Sequence, residues 1–262
     1  MRGKARLRGW VRVAAAALLA ALLAVPAVIV YPLAVSSSRF FEPQLTAMSA
    51  RWFESALAPY WLNSTLLSLV IALGAAAAAA ALAAPAAFYR FRWKGAAAGW
   101  LIDIGAAAAL LVPAISLAAG YFRVFGEGDL LSLVMAHTLL AFPFPYFSLR
   151  GGLASLDADV ADAAVLLGAS DWDTMLRVLL PSLKRFIFLG LVLAFLVSWD
   201  ETVLSVFITT PDTVTLPKAV WENMQRERDL TPAAINTIVA PLLSLAILKL
   251  FLSSLKGRAT VG

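Results

Sequence analysis

The chain has 262 residues, 61% hydrophobic and only 14% charged, with 21 Lys+Arg against 16 Asp+Glu and a formal net charge of +5. A soluble domain is about 45–50% apolar and about 25% charged, so this composition belongs to a protein that lives in lipid. The absence of cysteine excludes disulfide scaffolds, thiolate metal sites and cysteine nucleophiles, and a lone histidine, His137, leaves little for zinc or Ser-His-Asp chemistry.

A spanning helix needs about 20 mostly apolar residues. Six stretches reach or approach that length: Val13 to Val35, Leu62 to Phe88, Ala96 to Phe122, Leu131 to Leu149, Phe186 to Thr209 and Ala234 to Leu255. The first has a basic flank and small residues at Ala34-Val35-Ser36. It is longer than the 7–15-residue apolar core of a cleaved signal and is expected to be retained. The fourth carries Pro143 and Pro145. Two missing N–H donors suit a site inside a bundle rather than one facing lipid.

The cations set the expected orientation. The N-terminal tail (Arg2, Lys4, Arg6, Arg8, Arg12), the second-to-third connection (Arg90, Arg92, Lys94), the fourth-to-fifth (Arg150, Arg177, Lys184, Arg185) and the C-terminal end (Lys249, Lys256, Arg258) hold 15 of the 21. Only Arg39, Arg51, Arg123, Lys218, Arg226 and Arg228 fall on the other side. The positive-inside rule therefore puts both termini in the cytoplasm. Trp10, Trp61, Tyr89 and Trp93 sit at span edges, where interfacial anchors belong, and Tyr31, Tyr121 and Tyr146 read the same way. The basic residues edge the spans instead of forming a patch on a polar domain, which argues against nucleic acid. With no repeat visible, residues 1–262 read as one membrane domain in contact with lipid.

The most informative segment is the connection of residues 156–181 between spans four and five. It reads as two short helices around a turn. Asp157 is a plausible N-cap, Asp159 and Asp162 follow in the first turns, and Val160, Ala163, Ala164 and Leu167 share a face. Gly168 stops the first helix; Ser170 caps a second whose apolar residues are Trp172, Met175, Leu176 and Leu179; Pro181 closes the segment. On amphipathicity alone, a helix pair lying on the membrane or packed under its own bundle fits as well as one that docks a partner.

The spacing resembles the EAA loop of permease subunits of bacterial binding-protein-dependent ABC importers: Glu-Ala-Ala, three residues, Gly, nine residues, Ile, one residue, Leu-Pro. This chain has Asp162-Ala163-Ala164, Gly168, Val178 and Leu180-Pro181 at those spacings, with Asp for Glu and Val for Ile. Asn63-Ser64, Arg90 to Gly95, Val112-Pro113, Ser198-Trp199-Asp200-Glu201-Thr202 and Thr215 to Glu222 are similar to the spermidine/putrescine-type subfamily. The resemblance implies an all-α polytopic membrane protein of the type I permease fold, with six transmembrane helices and a cytoplasmic coupling helix pair between helices 4 and 5. It further implies half of a translocation pathway in the bacterial inner membrane, carrying a small solute such as a polyamine. The implied partners are a second permease subunit (homologous or identical), a cytoplasmic ATPase dimer that holds ATP and Mg, and an extracytoplasmic solute-binding protein. Residues 162–164, 168, 178, 180 and 181 then couple the spans to the ATPase. The chain has no GxxxxGK[ST] phosphate loop, so it is expected to bind no cofactor and to be no enzyme.

Three carboxylates, Asp103, Asp200 and Glu201, fall within or beside the spans, where charge is costly and normally faces a cavity or a partner. They are the candidate pathway residues, with Trp199 as a cation–π wall. The alternatives are a pairing with the partner permease for Asp200, a place near the outer interface for Glu201, and a contact with a neighbouring helix for Asp103. His137 is expected as a hydrogen-bonded packing residue. A proton-coupled secondary transporter using Asp103, His137 and Asp200 as a relay is the competing reading; an intramembrane hydrolase lacks the catalytic residues.

Overall fold

The computed structural model describes residues 2–38, 47–126, 128–156, 158–210, 213–226 and 229–256. They are helical apart from turns and two isolated β-bridges. In chain order the helices are α1 (Arg2–Ala34), α2 (Arg51–Ala56), α3 (Pro59–Arg92), α4 (Ala97–Leu111), α5 (Ala114–Phe125), α6 (Leu130–Ala141), α7 (Pro143–Ala154), α8 (Ala158–Leu166), α9 (Asp171–Ser182), α10 (Lys184–Trp199), α11 (Val203–Ile208), α12 (Leu216–Gln225) and α13 (Thr231–Lys256). Contacts divide the chain into two compact units, residues 1–62 with 222–245 and residues 63–221 with 246–262.

The first unit has a small core of Leu33, Ala34, Trp52, Leu230 and Ala234, closed by the buried Trp52 indole donating to the Ser36 carbonyl at 2.8 Å. Trp61, expected at the interface, is buried, and the side chain of Trp10 lies outside the described residues. Along α1 the apolar residues Val13, Leu18, Leu22, Val25 and Ile29 are exposed, as a lipid-facing helix requires.

In the second unit, two of the expected spans are broken, each for a local reason. Ala96 to Phe122 is α4 and α5, bent by 108° at Val112-Pro113. Both junction residues are extended, because a residue before proline is driven out of the helical region and Pro113 has no N–H to give. Phe186 to Thr209 is α10 and α11, interrupted at residues 200–202. There Glu201 turns its carboxylate back to accept the Leu204 N–H at 2.9 Å, opening a new helix instead of extending the old one. Residues 131–149 bend by only 41° at Pro143, with Pro143 and Pro145 both buried, as expected of prolines inside a bundle.

Two cores hold this unit. At one end Ile71, Ala118, Tyr121, Leu133, Ala136, Leu204 and Ile208 join α3, α5, α6 and α11. At the other, Ala83, Ala87, Phe88, Ala106, Tyr146, Leu149 and Leu153 pack with Ala161, Met175, Leu179 and Leu183 of the connection between α7 and α10. Between them α7 and α10 lie backbone to backbone. A Cβ built on Gly190 would stand 2.6 Å from the Pro145 Cα, so only glycine allows this approach.

Candidate functional site

The segment from Ala158 to Ser182 forms the helix pair that its sequence predicts, and each boundary has a visible cause. Gly168 has φ +92°, the left-handed region that L side chains avoid. The Gly168 N–H donates to the Val165 carbonyl at 2.9 Å and the Ala169 N–H to the Ala164 carbonyl at 3.0 Å. These two bonds satisfy the carbonyls that α8 leaves open and stop it. Ser170 then accepts the Asp173 N–H at 3.1 Å through its hydroxyl, capping α9. Within α9, Thr174–Leu179 is wound as a wide π-helix. Pro181 cannot donate to the Arg177 carbonyl and its ring would collide with it; widening the preceding turns relieves both problems. Asp157, the predicted cap of α8, lies outside the described residues.

The pair has two unlike faces. Ala161, Met175 and Leu179 are buried in the core with α3, α4 and α7. Of the face predicted for α8, Val160, Ala163 and Leu167 are exposed and Ala164 is half-buried. Leu166 and Leu167 are 87% and 89% exposed, and Trp172 of α9 is 61% exposed. Three large apolar side chains thus lie exposed around one turn and form an apolar patch. Of the other predicted coupling residues, Val178 and Leu180 are half-buried and Pro181 is exposed.

An unpredicted arginine fixes the pair. Arg92, at the end of α3, reaches Asp162 of α8 at 3.4 Å through Nη1 and Asp171 of α9 at 3.2 Å through Nε. One guanidinium thus spans both helices, and Asp162, the acid of the Asp-Ala-Ala triplet, meets a basic partner in its own chain. Nothing in the local pattern announces a contact between residues 70 and 79 positions apart.

The intramembrane carboxylates separate. Asp103, a pathway candidate with a neighbouring-helix contact as its alternative, makes that contact in an ion cluster: Oδ2 accepts from Arg90 Nε at 2.9 Å, and Oδ1 accepts from the Tyr146 hydroxyl at 2.6 Å and from Arg150 Nη1. Tyr146 is fully buried and Tyr121 is buried with its hydroxyl on the Ser132 carbonyl, so neither is an interfacial anchor. Glu201 is the capping acceptor already described. Asp200 ends α10 with its side chain exposed, and Trp199 stacks on Phe195 at 5.9 Å. His137 is buried with Nδ1 2.9 Å from the Ser198 hydroxyl, a packing role as expected. Among the described residues no hydrogen bond joins Asp103, His137 and Asp200 into a relay. Outside the spans, Asp129 caps α6; the Ser132 N–H it accepts holds its carboxyl below the usual range.

These features define a class: an all-helical polytopic membrane protein with a docked helix pair inserted between two spans. A model of the family described as binding-protein-dependent transport system inner membrane component matches residues 71–258. The chain belongs to that family of inner-membrane transport components.

Curated relatives include a protein named as a permease of a 2-aminoethylphosphonate transport system, PhnV, from Salmonella paratyphi A, 30% identical over 145 residues (53% of this chain and 55% of that protein). Another is the spermidine/putrescine transport system permease protein PotC of Escherichia coli K12, 28% identical over 170 residues (65% and 63%). The match thus spans between half and two thirds of the length of these relatives. In fold, the chain is similar to a crystal structure of a bacterial ABC transporter involved in import of the acidic polysaccharide alginate. That likeness has a TM-score of 0.70 at 13% identity and covers 93% of this chain and 95% of the other. A crystal structure of an amino acid ABC transporter with histidines aligns at TM-score 0.58 and 17% identity over 81% of this chain and 100% of the other.

Proposed function

We propose that this chain forms half of the translocation pathway of an ATP-driven importer for a small solute bearing a primary ammonium, with a polyamine such as putrescine or spermidine as the first choice. The observation that carries the mechanical half is the helix pair: a stiff, capped element pinned by Arg92, with Leu166, Leu167 and Trp172 turned outward. A cytoplasmic ATPase dimer, which holds ATP and Mg, grips that face, and Asp162, Ala163, Ala164, Gly168, Val178, Leu180 and Pro181 shape the grip. Closure of the ATPase then reaches the spans as a rigid displacement, because the inward face of the pair belongs to the same core as α3, α4 and α7. A second permease subunit completes the pathway, and an extracytoplasmic binding protein delivers the solute. Both termini face the cytoplasm, and this chain binds no nucleotide.

The substrate class rests on what the relatives have in common. Putrescine, spermidine and 2-aminoethylphosphonate differ in charge, but each carries an aliphatic ammonium. Asp200 is the pathway carboxylate, since Asp103 is neutralised by arginines and Glu201 is held by the α11 backbone. The second reading, a phosphonate importer, is favoured by the 30% relative.

The test is uptake into proteoliposomes containing the permease pair, its ATPase and its binding protein. ATP-dependent accumulation of labelled putrescine, lowered by Asp200→Asn without loss of assembly or basal ATP hydrolysis, is the expected outcome. Accumulation of 2-aminoethylphosphonate instead moves the substrate to the second reading. Uptake without ATP that collapses with a proton uncoupler refutes the importer mechanism.

A further inference from the structure

The end of the second unit that carries the helix pair holds a cavity with no part in the coupling argument. It measures about 460 Å³, within the roughly 300–1,000 Å³ of small-molecule sites, and lies between the end of α3 and the segment from α7 to residue 156. Arg90, Lys94 and Arg150 form its basic wall; Phe91, Leu153 and Leu156 are the larger members of its apolar wall.

Asp103 is the one carboxylate that the described residues bring to these cations, and of their donors it takes Arg90 Nε and Arg150 Nη1. Arg90 Nη1 is spent on the Lys94 carbonyl at 2.7 Å. Three cations against one carboxylate leave two positive charges, with donors still available on both guanidiniums and the Lys94 ammonium. Such a half-basic, half-apolar hollow matches an amphiphilic anion. The depth of the site is set by its aromatics. Trp93 and Trp100 are exposed beside it, Arg90 lies over the Trp100 ring at 4.9 Å, and Trp93 packs on Tyr89 at 4.9 Å. Exposed tryptophans of this kind sit at the level of lipid headgroups.

We infer that the cavity lined by Arg90, Lys94 and Arg150 binds the phosphate of an anionic phospholipid, with the glycerol and first acyl carbons against Phe91, Leu153 and Leu156. The chemistry recognised is a phosphate oxyanion, for which basic pockets between spanning helices are a recurrent solution. The lipid is the natural source because the site lies at headgroup depth and half its wall is apolar. The reading is independent of which solute is carried.

The experiment uses the full chain in nanodiscs of phosphatidylglycerol or phosphatidylcholine, with retained lipid counted by native mass spectrometry after release into detergent. Lys94 is the test position because its ammonium makes no contact with Asp103, so the buried ion cluster survives its replacement. The wild-type chain is expected to keep about one phosphatidylglycerol and no phosphatidylcholine. Lys94→Gln should lower retention about five-fold, the effect of one lysine near an anionic surface, and Lys94→Glu should lower it further. Equal retention of both lipids, or retention unchanged in Lys94→Glu, overturns the site. Displacement by millimolar inorganic phosphate overturns the lipid assignment in favour of free phosphate. Loss of the lipid when the ATPase is bound overturns it in favour of a protein contact.

Discussion

Gly168→Ala isolates the turn of the helix pair, because the backbone alone sets its cost. Nothing lies within 4 Å of a Cβ built on Gly168, so the new methyl meets no neighbour. What remains is φ +92°, a left-handed conformation that costs an L residue roughly 1–2 kcal/mol. Against that, alanine loses less conformational entropy on ordering, worth about 0.4–1 kcal/mol in the other direction. The net is about 1 kcal/mol against the turn, or about five-fold in its opening equilibrium. Hydrogen exchange at Leu167, Gly168 or its replacement, and Ala169 reads this directly, since all three amides are bonded within the turn. Exchange should quicken about five-fold there in Gly168→Ala and stay unchanged in the α7–α10 contact. Gly168→Asn, which tolerates the left-handed region, should quicken it by less than half as much. In the reconstituted importer the alanine variant should hydrolyse ATP but carry less solute per ATP. Equal exchange in the alanine and asparagine variants would refute the backbone argument.

Arg92→Gln removes two ion pairs of 3.4 and 3.2 Å between partly exposed groups, so it should cost about 1 kcal/mol in total, shrink with added salt, and show a coupling of about 0.2–1 kcal/mol in a double-mutant cycle with Asp171→Asn. Gly190→Ala drives a methyl into the Pro145 backbone and should destabilise the fold by about 1–3 kcal/mol, whereas Gly151→Ala, with open space around it in the same helix as Pro145, should raise stability by up to about 1 kcal/mol; thermal unfolding of the two variants checks the contrast in sign. Asp103→Asn leaves Arg90 and Arg150 without their counter-charge and should cost about 2 kcal/mol, less than the 3–5 of a fully buried pair because the Arg150 side chain is 36% exposed, with uptake of the proposed solute per folded molecule unchanged. Asp129 has its pKa lowered by the N–H it accepts, so its capping bond is kept above the usual carboxylate range and lost as pH falls through the depressed value; amide exchange at Ser132 should quicken in that acid window and be insensitive to it in Asp129→Asn.

The helix pair was legible in the sequence because its boundaries are chemical. A glycine that admits positive φ, a serine that caps and a proline that stops act within a few residues, and periodicity names the helices between them. The breaks in the spans were not legible from apolar length. Hydropathy measures how much greasy chain is present and carries nothing about where it breaks, so Pro113 bends and Glu201 interrupts a stretch that reads as continuous. Nor does periodicity say which apolar face of an exposed pair looks inward. Ala161 took the core position, and Leu166, Leu167 and Trp172 were left outside. The identities of the partners of Asp103 and Tyr146 were hidden for a related reason: a polar group in a span needs a partner, but Arg90 and Arg150 lie on other helices.

The arginines counted for orientation also build the fold. Positive-inside counting treats Arg90 and Arg92 as two interchangeable charges, yet residues two apart on a helix point about 200° from one another. The last turn of α3 uses that divergence. Arg90 turns to Asp103 on α4 and, through it, to Arg150 on α7; Arg92 turns to Asp162 on α8 and Asp171 on α9. A single helical turn therefore ties two neighbouring helices on one side and both helices of the pair on the other. Lysine at either position would preserve the orientation signal but forfeit the planar fork that meets two acceptors at once. Arg90→Lys and Arg92→Lys should therefore insert with the wild-type topology, while amide exchange in the helix pair quickens for Arg92→Lys alone.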